Sequence, residues 1–112
     1  MANFVIPTPF FEIKYKRLAR KFPSLGNELV NLEKELINKP KLGEPLGANL
    51  YKIRLSAKDK GKGKSGGFRI ITYLLQEFQN SHEIYLITIF DKSEDTSISK
   101  ALLLKIVKSI FK

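Results

Sequence analysis

The sequences YKIRL at residues 51–55, FRIITYLLQ at residues 68–76 and EIYLITIF at residues 83–90 decide the fold of this chain. In the first, apolar residues alternate with cationic ones, which predicts a strand with one apolar and one cationic face. The other two are rich in β-branched and aromatic residues, which is typical of strands in a sheet. We therefore predict three consecutive strands that form an antiparallel meander.

The residues before these strands follow a helical period. A short strand is predicted at residues 3–6, and Thr8-Pro9 is typical of a helix start because proline at the first helical position loses no hydrogen bond. Residues 40–47 contain two glycines and two prolines, which predicts a loop. Two apolar helical stripes lie between these segments, at Phe11, Tyr15, Leu18 and Phe22 and at Leu25, Leu29, Leu32 and Leu36.

A last helix is predicted after the third strand, with caps at residues 95–97 and Leu104 beside its apolar stripe. The stripe comprises Ile98, Leu102, Ile106 and Ile110. The predicted order is therefore β-α-α-β-β-β-α, an α+β fold with an antiparallel sheet and the helices mainly on one face. A length of 112 residues with 43% apolar composition fits a single domain over residues 1–112.

The net charge of +9 is concentrated in the middle of the chain. Residues 52–69 contain seven basic residues against one acidic residue, which gives six of the nine surplus charges in eighteen positions. The basic residues are Lys52, Arg54, Lys58, Lys60, Lys62, Lys64 and Arg69. Like charges on neighbouring strands repel, and natural sequences usually intersperse the two signs. The cluster therefore predicts a polyanionic partner rather than an ordinary solvated face.

Several functional classes are excluded or disfavoured by composition. The chain has no cysteine and a single histidine, His82, which leaves no disulfide framework, thiolate zinc site or cysteine nucleophile. No metal site and no cofactor are expected. The residues Gly63-Lys64-Ser65 resemble a phosphate-binding loop, but Lys58 occupies the position of its first glycine and a strand follows. No apolar run is long enough to span a membrane, so we expect a cytoplasmic protein without membrane contact.

Three stretches are similar to the RelE/HigB superfamily of type II toxins, and in particular to its HigB-like branch. They are YKIRL at residues 51–55, KGKGKSGGFRII at residues 60–71 and IYLITIFDKSE at residues 84–94. The resemblance implies a single toxin domain with a RelE-like, microbial-RNase-type fold. It also implies an endoribonuclease that cleaves mRNA in the ribosomal A site and thereby inhibits translation.

Carried over by position, the resemblance assigns catalytic roles to Lys52, Arg54, Arg69 and Lys92. The two arginines would stabilise the charged phosphorane, and Lys92 would neutralise or protonate the leaving 5′-oxygen. Because neighbouring cations disfavour the charged form of a lysine, Lys52 is the first candidate for the general base, and Asp91 is the second. RNA-binding contacts to phosphate are assigned to Lys58, Lys60, Lys62 and Lys64.

The chain departs from the superfamily where some members have a catalytic tyrosine or histidine, since it has Ser97-Ile98 and Asp91-Lys92 at those positions. The general base therefore stays open between Lys52 and Asp91. Two other functions stay open as well: a toxin of the same superfamily that acts on DNA gyrase without cleaving RNA, and a plain RNA- or DNA-binding module. The expected partners are mRNA on the ribosome, ribosomal RNA and a cognate antitoxin that covers the basic face.

Overall fold

The computed structural model describes residues 3–56, 67–76, 81–93 and 98–111. Within these ranges three helices and five strands form an α+β fold, which confirms the predicted class. Their order is β1 (Asn3–Pro7), α1 (Pro9–Lys21), α2 (Leu25–Asn38), β2 (Glu44–Gly47), β3 (Leu50–Leu55), β4 (Phe68–Gln76), β5 (His82–Asp91) and α3 (Lys100–Ile110). None of these helices is long and apolar enough to cross a membrane.

The five strands form one mixed sheet in the spatial order β1-β5-β4-β3-β2. Strands β2 to β5 pair antiparallel, as the meander predicts, whereas β1 pairs parallel with β5. The prediction of a wholly antiparallel sheet was therefore wrong. The reason is that α1 and α2 lie between β1 and the meander and return the chain, so that β1 enters the sheet in the same direction as the last strand.

The helices cover both faces of the sheet. α1 and α2 pack on one face, where Ile53, Leu55 and Phe68 meet Phe11 and the leucines of α2. α3 packs on the opposite face, over a core that contains Leu50, Ile71, Ile87, Phe90, Leu103 and Val107. The prediction that helices lie mainly on one face therefore holds for two of the three, and the third covers part of the opposite face.

Three of the four residues of the predicted stripe, Ile98, Ile106 and Ile110, are half-buried and pack against the core, but the most deeply buried positions of α3 lie beside the stripe. Leu103 and Val107 are buried, whereas Leu102, a member of the predicted stripe, is 43% exposed. Leu104, which lies beside the predicted stripe, is half-buried and packs against the core. The predicted caps at residues 95–97 lie outside the described residues. The helix begins after Ser99, whose hydroxyl accepts a hydrogen bond from the Leu102 amide at 3.1 Å.

Part of the predicted loop at residues 40–47 is a strand. β2 pairs with β3 through a two-residue turn in which Ala48 and Asn49 have φ angles of 53° and 63°. Two consecutive positive φ values are what a tight hairpin of this length requires. The hairpin places Glu44 directly opposite Lys52.

Two buried threonine hydroxyls, in Thr72 and Thr88, have no hydrogen-bond partner among the described residues. By contrast, Thr8 Oγ1 donates to the Leu86 carbonyl at 2.8 Å and accepts from the Phe11 amide at 3.1 Å, which caps α1. Replacement of threonine with valine should therefore change the free energy of unfolding in opposite directions at the two kinds of site.

We expect Thr72→Val to raise the free energy of unfolding by about 1 kcal/mol, because it removes an unsatisfied buried hydroxyl and keeps the shape of the side chain. Thr8→Val should lower it by about 1–2 kcal/mol through loss of the cap. Urea denaturation of both variants beside the original protein measures the two changes. A loss of stability in Thr72→Val as large as that in Thr8→Val would contradict the assignment of the unsatisfied hydroxyl.

Candidate functional site

The pairing of β3 with β4 places two arginines opposite each other. In this register Arg54 faces Arg69, and Lys52 faces Ile71 one step along the strands. Because side chains alternate across a strand, Lys52, Arg54 and Arg69 project from the same face of the sheet as Leu50 and the α3 core. Cationic groups from two strands therefore lie side by side on that face.

The two arginines of this pair differ in burial. Arg69 is only 3% exposed, and its Nη1 donates to the Phe68 carbonyl at 3.1 Å. Its neighbour on the other side, in β5, is the buried Phe90. Arg54, in contrast, is exposed. One guanidinium group is thus held in place by packing and a hydrogen bond, and the other extends to solvent above it.

A cavity of about 740 Å³ lies beside the outer edge of β3. β2 begins at Glu44, which pairs with Lys52. Residues 53–55 of β3 therefore have no partner strand on that side among the described residues. All three of these residues line the cavity. Four cationic side chains line it: Lys52, Arg54, Arg69 and Lys92.

Residues of α2 and of the start of β2 form a second, oxygen-bearing wall of the cavity. Glu28, Asn31 and Glu35 line it from a single face of α2, because their spacing of three and four residues matches the helical repeat. Glu44 lines it beside its cross-strand neighbour Lys52. The lining of the cavity therefore combines cations with carboxylate and amide oxygens.

Four of the five side chains to which the sequence assigns catalytic roles meet in this cavity, and Asp91 does not line it. Asp91 pairs with Phe68, whose side chain belongs to the core under α1 and α2, so it projects from the other face of the sheet. Its carboxylate accepts hydrogen bonds from the Ser93 amide at 3.0 Å and the Ser93 hydroxyl at 3.2 Å. The four predicted RNA-binding lysines, Lys58, Lys60, Lys62 and Lys64, lie outside the described residues.

The sequence prediction missed the oxygen-bearing wall. The turn Gly47-Ala48-Asn49-Leu50 could have indicated the hairpin, since asparagine tolerates a positive φ. A regular two-residue hairpin would place Glu44 opposite Ile53, however, and only the register shift between Pro45 and Gly47 brings it opposite Lys52. The polar face of α2 gave no such signal, because helical spacing does not show which part of the sheet a helix covers.

Two groups with shifted pKa values lie away from the cavity, between α1 and α2. Burial raises the pKa of the Tyr15 hydroxyl, and the charge of Glu33 raises it further. Burial also raises the pKa of the Glu33 carboxyl. Tyr15 stacks on Phe11 with ring centroids 5.8 Å apart, so this pair belongs to the packing of the helices. Among the described residues, no group of three or more histidine or acidic side chains is placed to hold a metal ion.

No protein-family model matches this chain. The site is therefore defined by its own geometry: a cavity at a sheet edge, with a cationic wall from β3, β4 and the end of β5 and an oxygen-bearing wall from α2 and β2. Such a site suits a ligand that carries both a negative charge and hydrogen-bond donors.

Proposed function

We propose that this protein is a ribosome-dependent mRNA endoribonuclease, the toxin of a toxin–antitoxin pair with a RelE-like fold. The observation that carries the proposal is the convergence of Lys52, Arg54, Arg69 and Lys92 on a single cavity. RNA matches both walls of this cavity, because its phosphates are anionic and its ribose hydroxyls donate hydrogen bonds. The resemblance of the three stretches to the RelE/HigB superfamily supports the choice of mRNA as the substrate.

The proposed reaction uses the nucleophile that RNA itself contains. The 2′-oxygen attacks the adjacent phosphorus, so that an O2′–P bond forms while the P–O5′ bond breaks. One proton leaves the 2′-hydroxyl and another joins the 5′-oxygen. The products are a 2′,3′-cyclic phosphate and a new 5′-hydroxyl end. The protein has to accept the first proton, stabilise the phosphorane and supply the second proton.

The cavity offers a side chain for each of these tasks. Arg69 is fixed by its hydrogen bond to the Phe68 carbonyl and, with Arg54, would bind the non-bridging oxygens as negative charge develops on them. Lys92, at the end of β5, would neutralise or protonate the leaving 5′-oxygen. The proton acceptor is Lys52 or Glu44, which face each other across β2 and β3.

Primer extension on ribosome-bound mRNA tests the proposed function. Addition of the purified protein should produce new mRNA ends within the A-site codon, and the upstream fragments should end in a 2′,3′-cyclic phosphate. Intact mRNA accompanied by DNA breaks at gyrase would contradict the nuclease and support the gyrase-directed function. Intact mRNA with salt-dependent RNA binding would instead identify a plain binding module.

An antitoxin is the protein partner that this function requires. The cationic wall and the exposed Arg54 favour a partner with an acidic or amphipathic segment that covers this face. Co-purification of the toxin with the product of a neighbouring gene, and growth arrest when the toxin is expressed without it, would support this part of the proposal.

A further inference from the structure

A second, smaller cavity of about 190 Å³ lies beneath the start of α3. Its floor consists of the buried side chains of Ile71, Phe90 and Leu103, and the half-buried Leu46 and Ile98 form its sides. The only polar residues among the described ones that line it are two lysines, Lys52 and Lys100. We call this cavity the α3 slot.

The α3 slot adjoins the larger cavity, because the side chain of Lys52 lines both. On the sheet, Lys52 and Ile71 form the cross-strand pair next to Arg54 and Arg69 on the same face. Two residues along a strand correspond to about 7 Å. The backbone positions of Lys52 and Ile71 at the slot therefore lie about 7 Å along the strands from those of the proposed phosphate-binding arginines, which is within the reach of one nucleotide.

Lys100, the exposed residue of the slot lining, marks the mouth of the slot and lies close to the β2–β3 hairpin. A side-chain carbon at Gly47 would lie only 2.7 Å from Lys100 Nζ, so glycine at this position leaves room for the ammonium group. Gly47 also has a φ of +89°, which disfavours other residues there. The start of α3 therefore lies close to β2, and the slot lining combines two lysines with an apolar floor.

We propose that the α3 slot binds one nucleobase of the RNA strand whose phosphate lies in the larger cavity, an inference that rests on the proposed function. A nucleobase has apolar faces that suit the slot floor, and its edges carry hydrogen-bond acceptors. Lysine offers donors but no acceptor, so the mouth selects a base that presents adjacent acceptors, as guanine does with its O6 and N7 atoms. The slot would then set the base preference of cleavage.

Methyl NMR with 5′-GMP and ribose 5-phosphate as probes tests this proposal. Both compounds carry the phosphate, but only 5′-GMP carries a base whose ring current shifts nearby methyl signals. We expect 5′-GMP to shift the methyl signals of Ile71, Ile98 and Leu103 and to bind at least tenfold more tightly than ribose 5-phosphate. Equal affinity of the two compounds, or absence of these methyl shifts, would overturn the proposal.

A variant whose larger side chain fills the slot tests the same proposal, and a matched variant at an exposed position is its control. Ile98→Trp should abolish the shifts of Ile71 and Leu103 and reduce the affinity for 5′-GMP to that for ribose 5-phosphate. Leu102→Trp introduces the same side chain at an exposed position on the same helix and should change neither. Unchanged 5′-GMP binding in Ile98→Trp would overturn the slot as the binding site.

The outcome for the slot can be separated from the outcome for the nuclease. If A-site cleavage is observed but 5′-GMP causes no methyl shifts in the slot, the slot proposal fails and the proposed function stands. If the methyl shifts occur but mRNA stays intact, the slot proposal stands and the proposed nuclease function is contradicted. A change of the cleaved base in Ile98→Trp, with the rate at other sites retained, would further support the slot.

Discussion

Replacement of Arg54 with glutamine is expected to reduce the rate of mRNA cleavage by about 100- to 1000-fold, the usual effect of losing one group that stabilises the transition state. At the same time we expect the free energy of unfolding to rise by about 0.5 kcal/mol, because Arg54 stands directly opposite Arg69 and like charges in that position repel. A variant that is more stable and less active would be the signature of a functional rather than a structural residue.

Arg54 is a better test of the cationic wall than Arg69. Arg69 is almost fully buried and donates to the Phe68 carbonyl, so its truncation would leave a cavity and an unsatisfied acceptor. Loss of activity in such a variant would not distinguish catalysis from folding. Arg54 is exposed, and a change there leaves the packing of β3 intact.

The matched control is Arg17→Gln, which removes the same charge from an exposed position on α1. The cleavage rate of this control should stay within twofold of that of the original protein. Its free energy of unfolding should stay within about 0.5 kcal/mol. Single-stranded RNA binding measured at several salt concentrations adds a second readout, since each phosphate contact contributes about 0.7 to the salt slope. Full cleavage activity in Arg54→Gln would contradict a role of the cationic wall in the mechanism.

The sequence predicted the strands of the site because their pattern is local. The alternation in residues 51–55 separates Ile53 and Leu55, which enter the core under α1 and α2, from Lys52 and Arg54 on the other face. Whether Arg54 and Arg69 lie opposite each other depends on the register of the two strands. The alternation does not determine that register when twelve residues separate the strands. The cationic cluster was therefore predictable, and the direct opposition of Arg54 and Arg69 was not.

The buried face of α3 shows a different limit of prediction from the sequence. Leu102, Leu103 and Leu104 are consecutive, so a helical stripe can pass through any of them with nearly equal support from the sequence. Packing against the sheet selects Leu103 and Val107 for burial and leaves Leu102 exposed. The choice is made by the tertiary structure, and it places Leu103 among the side chains that line the α3 slot.

Glu44, the cross-strand neighbour of Lys52, was missed because its strand has the composition of a loop. Pro45 follows Glu44 and lacks an amide donor, which argues against a strand in the interior of a sheet. β2 is an edge strand and pairs on one side only, so proline is tolerated there. The position of Glu44 in the site thus follows from the place of β2 in the sheet.

Replacement of Phe68 with alanine is expected to lower the free energy of unfolding by about 4 kcal/mol. The side chain is fully buried between the sheet and the first two helices, and its ring meets that of Phe22 edge to face at 5.3 Å between centroids. Its removal from a central strand leaves a cavity that rigid neighbours on both sides cannot fill. Domains of this kind are typically stable by about 5–15 kcal/mol, so the loss is a large part of the total.

Phe111→Ala is the matched control, because it deletes the same ring from a residue that is 44% exposed. Phe111 contacts the rings of Tyr85 and Tyr73 at 4.9 and 5.7 Å, and we expect its loss to cost about 1–2 kcal/mol. Urea denaturation of the two variants gives the difference directly. Equal destabilisation would contradict the assignment of the main core to the face under α1 and α2.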